Sequence, residues 1–457
     1  MRHSPGTMKP HLCLFLACVS LVTAQDPPKD PFVKDKKAAA AAAPVASGDP
    51  AAPQTPKNIL CLVETFTLSQ TDYAAMLDAP EGHDKLYNHT LAAVKAGTAR
   101  LDGCHLITTK SGTRSTAECT DELIYPTEWA SADSTGFQYP LTFEMSQLGD
   151  HFEFEPILDG ENGALNVTHQ FQRDRFFGLR LYKADTTLGG IPVTDLFKRT
   201  APSTCRVIPG YPTLVATLHE AQTRDITLVF ATFHVINLAP AKVPASKGAG
   251  NVILTARVIS LDRIKGWELL KKHAENGGAC LAALKPLLVA KEATLEHIAT
   301  VSAQSGTRAL HESGFRYNYG TKFYPPDEGW PAHLVNNEKN PWVAARPAWA
   351  ASTHNFERRS LGFRLEVEPI RSADGAFADM TLAPEYVSMT GNLKDKNWSE
   401  RYPELPLFSV QKITTGYTQV IGTTHLIGTM NPPGDTGANG HKDEGRMWLL
   451  FMDVNQE

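Results

Sequence analysis

"GFRLEVEPIRSADGAFADMTL", residues 362–382, alternates apolar and polar side chains, enters a turn rich in Asp and Gly, and then alternates again. Period 2 on both sides of such a turn is the pattern of a β-hairpin, with Phe363, Leu365 and Val367 on one face and Arg364, Glu366 and Glu368 on the other. The stretch has a twin. Residues 149–168, "GDHFEFEPILDGENGALNVT", repeat the alternation, the Glu-x-Glu-Pro step and the turn, and Glu153 and Glu155 stand where Glu366 and Glu368 do.

Other blocks recur in the same order on either side. "ILCLVETFTL" at 59–68 matches "VILTARVISL" at 252–261, and "SGTRSTAECTDELIYPTEW" at 111–129 matches "SGTRALHESGFRYNYGTKFYPP" at 305–326. "GYPTLVATL" at 210–218 matches "GTTHLIGTM" at 422–430, and "ITLVFATFHV" at 226–235 matches "MWLLFMDV" at 447–454. Ordered matches of this kind are the signature of an internal duplication. The copies are assigned to residues 58–238 and 251–457, with the Pro-, Lys- and Gly-rich 239–250 as linker.

Each copy reads as strand, helical insert, then several strands. Tyr87, Leu91 and Val94 share a helical face in the first insert, and Leu281, Leu284 and Leu288 do so in the second, where Pro286 is expected to end or kink the helix. The fold class is therefore mainly β (α+β): two tandem antiparallel-sheet domains of similar topology, each with one or two helices.

The first 24 residues carry Arg2, His3 and Lys9, an apolar run from Leu12 to Val22, and small residues before Gln25, the pattern of a secretory signal. Cys18 also admits a lipid-anchored reading. Residues 25–57 are rich in Ala, Pro and charge and nearly free of large apolar side chains, so they are expected to form a disordered tether. No other run is long enough for a transmembrane helix. Five cysteines follow the leader, Cys61, Cys104, Cys119, Cys205 and Cys280, an odd number that leaves at least one thiol free or paired between chains.

The chemistry-bearing residues are few. With 42% apolar and 20% charged residues and a formal charge of −5, the chain is an ordinary folded protein without a basic footprint for nucleic acid. Paired carboxylates raise the question of glycoside or peptide hydrolysis, but Glu153 with Glu155, and Glu366 with Glu368, leave one strand on one face, whereas glycosidase pairs flank the substrate. They read as the solvent face of each hairpin. Arg114 and Arg308 recur in the two "SGTR" blocks, either to pair with an acidic partner across an interface or to align two strands past a tight turn.

His441, Asp443 and Glu444 in "NGHKDEGR" offer a loop for a cation or simply a polar loop, and Trp330, Trp342 and Trp349 offer a groove or ordinary packing. Asn88, Asn166 and Asn397 begin glycosylation sequons, which matter only in a host that glycosylates exported proteins. Histidines, cysteines and glycines lack the spacing of a metal, nucleotide or nucleophile motif, so no catalytic residue, metal or cofactor is assigned.

The order of blocks resembles the C-terminal core domain of the secretins, the ring-forming outer-membrane channels of type II and type III secretion and type IV pili. The residues that carry the resemblance are "VILTARVISL", "ATVSAQSGTRALHESGFRYNY", "LGFRLEVEPIRSADG", "GTTHLIGTM" and "MWLLFMDV" in the second copy, and their counterparts in the first. The apolar segment that usually follows the "GTTHLIGTM" block is replaced here by "NPPGDTGANGHKDEG" and "HEAQTR". The resemblance implies an exported, non-enzymatic protein of the bacterial envelope, periplasmic or outer-membrane associated, with degenerate secretin-like cores. Its implied partners are envelope proteins or further copies of itself. A secreted binding module without a secretion role and a secreted hydrolase are the alternative readings.

Overall fold

The computed structural model describes residues 55–456 except 77–81, 130–137, 160–162, 183–189, 221–222, 240–250, 325–351, 394, 396–402, 434–435 and 437–444. The leader, most of the tether, nearly all of the linker, the three tryptophans named above, Asn397 and the His441 loop lie outside the described residues.

The first copy contributes β1 (Lys57–Leu68), α1 (Gln70–Ala74), α2 (His83–Ala96), β2 (Ala99–Thr109), β3 (Ser115–Trp129), β4 (Pro140–Leu158), β5 (Leu165–Tyr182), β6 (Ile191–Val207), β7 (Thr213–His219) and β8 (Ile226–Asn237). The second repeats that order with β9 (Asn251–Asp262), α3 (Arg263–His273), α4 (Gly277–Val289), β10 (Ala293–Gln304), β11 (Ala309–Tyr324), β12 (Ser352–Arg371), β13 (Phe377–Asn392), β14 (Pro406–Val420), β15 (Thr423–Thr429) and β16 (Arg446–Gln456). The fold is thus mainly β with a few short helices. Pro286 lies inside α4, which continues to Val289, so proline does not end that helix.

Among the described residues all strand pairing is antiparallel, within two eight-stranded sheets. One runs β10-β9-β16-β15-β2-β1-β8-β7 and the other β11-β12-β13-β14-β3-β4-β5-β6. Each sheet takes four strands from each copy in the same internal order, and hydrogen-bonded strands cross the boundary between copies. β14 pairs with β3 from Leu407 opposite Leu123 to Thr414 opposite Thr116, and β15 meets β2 at Gly428 opposite Ile107. Side chains seal the same seam: Asn58 Nδ2 donates to the Thr418 carbonyl at 2.7 Å, and Thr418 N–H donates back to Asn58 Oδ1 at 3.0 Å.

Burial follows from alternation. On β1, Ile59, Cys61 and Val63 point into the core between the sheets, where Phe152 and Phe154 of β4 and Phe363, Leu365 and Val367 of β12 meet them. Leu60, Leu62 and Phe66 of the same strand pack instead under the helices, against Tyr87, Trp267 and Leu270. A strand covered on both faces has to be apolar at successive positions, which accounts for the unbroken "ILCLV" run. The five cysteines that follow the leader are free thiols, and of these only Cys205 is more than slightly exposed.

Two equivalent glycines bend the second sheet. Gly149 in β4 and Gly362 in β12 have φ of 119° and 115°, a region closed to most side chains. A Cβ at either would also run into a backbone carbonyl, of Cys119 or Ser313 respectively. β4 pairs with β5 only from Gly149 onward, and β12 with β13 only from Gly362 onward. Before the glycines, β4 and β12 stay paired with β3 and β11 but part from β5 and β13, and the tip of β11 reaches β4 at Lys322 opposite Thr142. A separate core containing Leu123, Phe143, Phe323, Leu361 and Phe408 fills this end.

Candidate functional site

The two recurring motifs meet. In the first copy Gly112 N–H donates to the Pro156 carbonyl at 2.8 Å, and Leu158 N–H donates to Ser111 Oγ at 2.9 Å. In the second, Gly306 N–H donates to the Pro369 carbonyl at 2.7 Å, and Arg371 N–H donates to Ser305 Oγ at 2.9 Å. The arginine that closes each turn then pairs with the first glutamate of Glu-x-Glu-Pro, Arg114 with Glu153 and Arg308 with Glu366. "SGTR" and "ExEP" are therefore two halves of one latch that fixes the register of β3 on β4 and of β11 on β12.

One expectation fails here. Glu366 does not lie on a solvent face: it is 4% exposed, held by Arg308 from the turn and by Arg364 two residues away. Its counterpart Glu153 is half-buried, as are Glu155 and Glu368. Alternation told which residues share a face, but charged neighbours cover that face in the second copy. The latch joins strands within a copy, and no carboxylate pair spans an open cleft there.

Two polar clusters carry no sequence signature beyond an interrupted apolar run. In the first, Cys119 Sγ lies 3.6 Å from His105 Nδ1, His105 Nε2 lies 3.7 Å from Asp150 Oδ2, and Arg173 binds Asp150 through Nε and Nη2, each at 2.6 Å. Burial disfavours the His105 imidazolium, but Cys119 and Asp150 outweigh it and push its pKa up to about 9. Burial would also raise the Asp150 carboxyl, yet Arg173 and His105 hold it well below the usual carboxylate range. The order Cys, His, Asp is that of an activated thiol. Cys119 is 2% exposed and none of the described clefts includes it, and the cluster ties β2, β3, β4 and β5 together through buried charged contacts.

The second cluster surrounds Glu64, the one acid in the β1 run, which is fully buried. Tyr87 donates its hydroxyl to it at 2.8 Å, Trp267 Nε1 donates at 2.5 Å, and Lys271 Nζ lies 3.0 Å away. Burial raises the carboxyl above its ordinary range, and Lys271 and Trp267 counter part of that rise. Trp267 and Lys271 come from α3 of the second copy and Glu64 and Tyr87 from the first, so this cluster too is a seam between copies. Arg359 of β12 forms another, reaching Glu122 of β3 at 2.8 Å and Glu385 of β13 at 3.1 Å.

Among the described residues no group of His, Cys, Asp or Glu has the geometry to hold a metal ion, and no helix is long and apolar enough to cross a membrane. What is distinctive is the contrast between equivalent strands. β3, covered by β14, is buried almost throughout, whereas its counterpart β11 is largely exposed, with Leu310 53% and Phe315 64% accessible. β14 is buried, and its counterpart β6 exposes Val193 and Leu196. β10 likewise presents Leu295 and Ile298. The candidate site is this pair of open sheet edges.

No protein-family model matches the sequence, and no curated protein matches it. Among solved structures, the chain has a weak, low-identity similarity to secretin β-barrel proteins. The secretin InvG of the Salmonella SPI-1 type III secretion injectisome is 12% identical over 63% of this chain and 87% of that one, with a TM-score of 0.20. The V. cholerae type IV competence pilus secretin PilQ is 8% identical, with a TM-score of 0.21; 89% of this chain is covered, but only 62% of the PilQ chain.

Proposed function

We propose that this chain is a non-enzymatic, exported structural subunit of the cell envelope that associates head to tail through its sheet edges. The observation that carries the reading is the internal seam: the trailing strands of the second copy, β14 and β15, pair with the leading strands of the first, β3 and β2. The corresponding trailing strands β6 and β7 and leading strands β11 and β10 end the sheets on opposite sides. The same join made between chains would place β6 against β11 and β7 against β10 of the next molecule. Such a heterologous contact propagates until it closes on itself. β6 carries Pro192 and Pro202, which interrupt its ladder of donors, so burial of Leu310, Phe315 and Ile298 has to supply much of the contact.

The leader at 1–24 supports export, and the pairing of strands across the boundary between copies supports a structural role. The mature chain is expected to stay in the aqueous phase without detergent. Light scattering coupled to gel filtration tests the assembly: the mature chain should give masses at multiples of the monomer as concentration rises, and Leu310→Lys with Phe315→Lys should return it to monomer. A wild-type chain that remains monomeric throughout refutes head-to-tail pairing and favours a free binding module.

A further inference from the structure

At each glycine the strand keeps one neighbour and parts from the other, which opens a wedge between the two that separate. In the first copy this wedge, between β4 and β5 beyond Gly149, is occupied by the second copy. Phe176 N–H of β5 donates to the Thr436 carbonyl at 2.9 Å, Leu179 N–H donates to Asp395 Oδ2 at 3.1 Å, and the Thr436 hydroxyl donates to Asp121 at 2.5 Å. Backbone donors of β5 freed where β4 parts from it are thus satisfied by the Thr436 carbonyl and the Asp395 carboxylate.

The equivalent wedge of the second copy lies between β12 and β13 beyond Gly362. Pairing of these strands stops at Gly362 opposite Val387, and no described segment stands beside β13 on that side after it. A cleft of about 560 Å³ opens there. Arg316, Arg358, Arg359 and Arg364 line it, against Glu312 and Glu385. Arg359 is committed to Glu122 and Glu385, while Arg316 and Arg358 are exposed. Thr436, which lies in the first wedge, follows β15; the counterpart position after β7 begins with Glu220, buried and bound to Arg199 at 2.8 Å, and among the described residues no first-copy residue lines the second cleft.

We propose that the wedge between β12 and β13 is a docking site for an extended, carboxylate-bearing segment of a partner protein, which adds its backbone to β13 and its acidic side chains to Arg316 and Arg358. Strand addition supplies backbone hydrogen bonds, and guanidinium groups select carboxylates through paired donors. The site lies within one copy and borders the β11 edge invoked for head-to-tail pairing, since Phe315 and Arg316 of β11 line it; binding measured on a chain shown to be monomeric separates the two.

Fluorescence anisotropy on the full mature chain tests it, with a labelled synthetic peptide alternating Glu and Thr, its Lys-Thr counterpart, and a Glu-Thr peptide N-methylated at alternate residues. The Glu-Thr peptide should bind. Arg316→Glu with Arg358→Glu should weaken it roughly tenfold or more at unchanged melting temperature, as loss of charge-assisted bonds requires. N-methylation should weaken it similarly. Equal binding of the acidic and basic peptides, indifference to the double charge reversal, or indifference to N-methylation overturns the proposal. So does a single-stranded oligonucleotide that binds as tightly as the acidic peptide, since that would mark a general anion surface.

Discussion

Glu366→Ala should destabilise the protein clearly more than Glu153→Ala, although the two residues hold the same place in the duplicated hairpin. Glu366 is 4% exposed and serves two guanidinium groups, Arg308 and Arg364; the Glu153 side chain is 27% exposed and serves Arg114, itself 69% exposed. Hydrogen bonds to a charged group are worth about 1.5–3 kcal/mol each. Removing one partner of a fully buried pair costs about 3–5 kcal/mol, largely through the orphaned charge. Arg308 and Arg364 are 38% and 39% exposed and can turn to water, so the orphan penalty is mostly avoided. That leaves about 2–3 kcal/mol for Glu366→Ala, against no more than about 1 kcal/mol for an exposed pair at Glu153. Thermal unfolding reads the contrast as a drop of about 2–4 °C for the first and close to none for the second in a chain of this size. A cycle with Arg308→Ala should recover part of the loss as coupling between the two residues. If both glutamate variants melt within a degree of one another, the burial argument for the second latch is wrong.

Gly362→Ala should cost about 3 kcal/mol or more, because φ is 115° and the added methyl meets the Ser313 carbonyl; Gly97→Ala, at φ 77° with open space around it, should cost only about 1 kcal/mol. Circular dichroism melts of the two variants check the difference. For His105, the folded pKa of about 9 lies above the ordinary 6.5, so the protonated ring adds stability that is complete below about pH 6.5 and fades as pH rises through 9. That span corresponds to about 3 kcal/mol, and His105→Gln should flatten the loss of stability measured by urea unfolding between pH 7 and 9.5. Asn58→Leu should cost about 2–4 kcal/mol, since it strips both bonds from the buried Thr418 backbone, and hydrogen exchange at Thr418 should rise with it.

The residues alone determined the strands, the two hairpins and the helical inserts, because each rests on a local period: Phe363, Leu365 and Val367 are two apart, and Tyr87, Leu91 and Val94 follow a helical turn. The same local logic placed Ser, Gly and Arg of "SGTR" in a turn and ordered the duplicated blocks. Period says which side chains share a face, but not what covers that face, so Glu366 could be grouped with Glu368 and still be misjudged as exposed. Tertiary structure decided the rest through long-range contact. A strand's free backbone groups accept any suitable neighbour, which is why β14 could pass to β3 and merge the copies into common sheets. The buried partners of Glu64 and of Asp150 come from strands and helices distant in sequence, and no spacing rule links Glu64 to Trp267 or Cys119 to Asp150. Gly149 and Gly362 stood in plain view beside their leucines, yet only the packed sheet shows that a positive φ there frees the wedges, one filled by Thr436 and one lined with arginine.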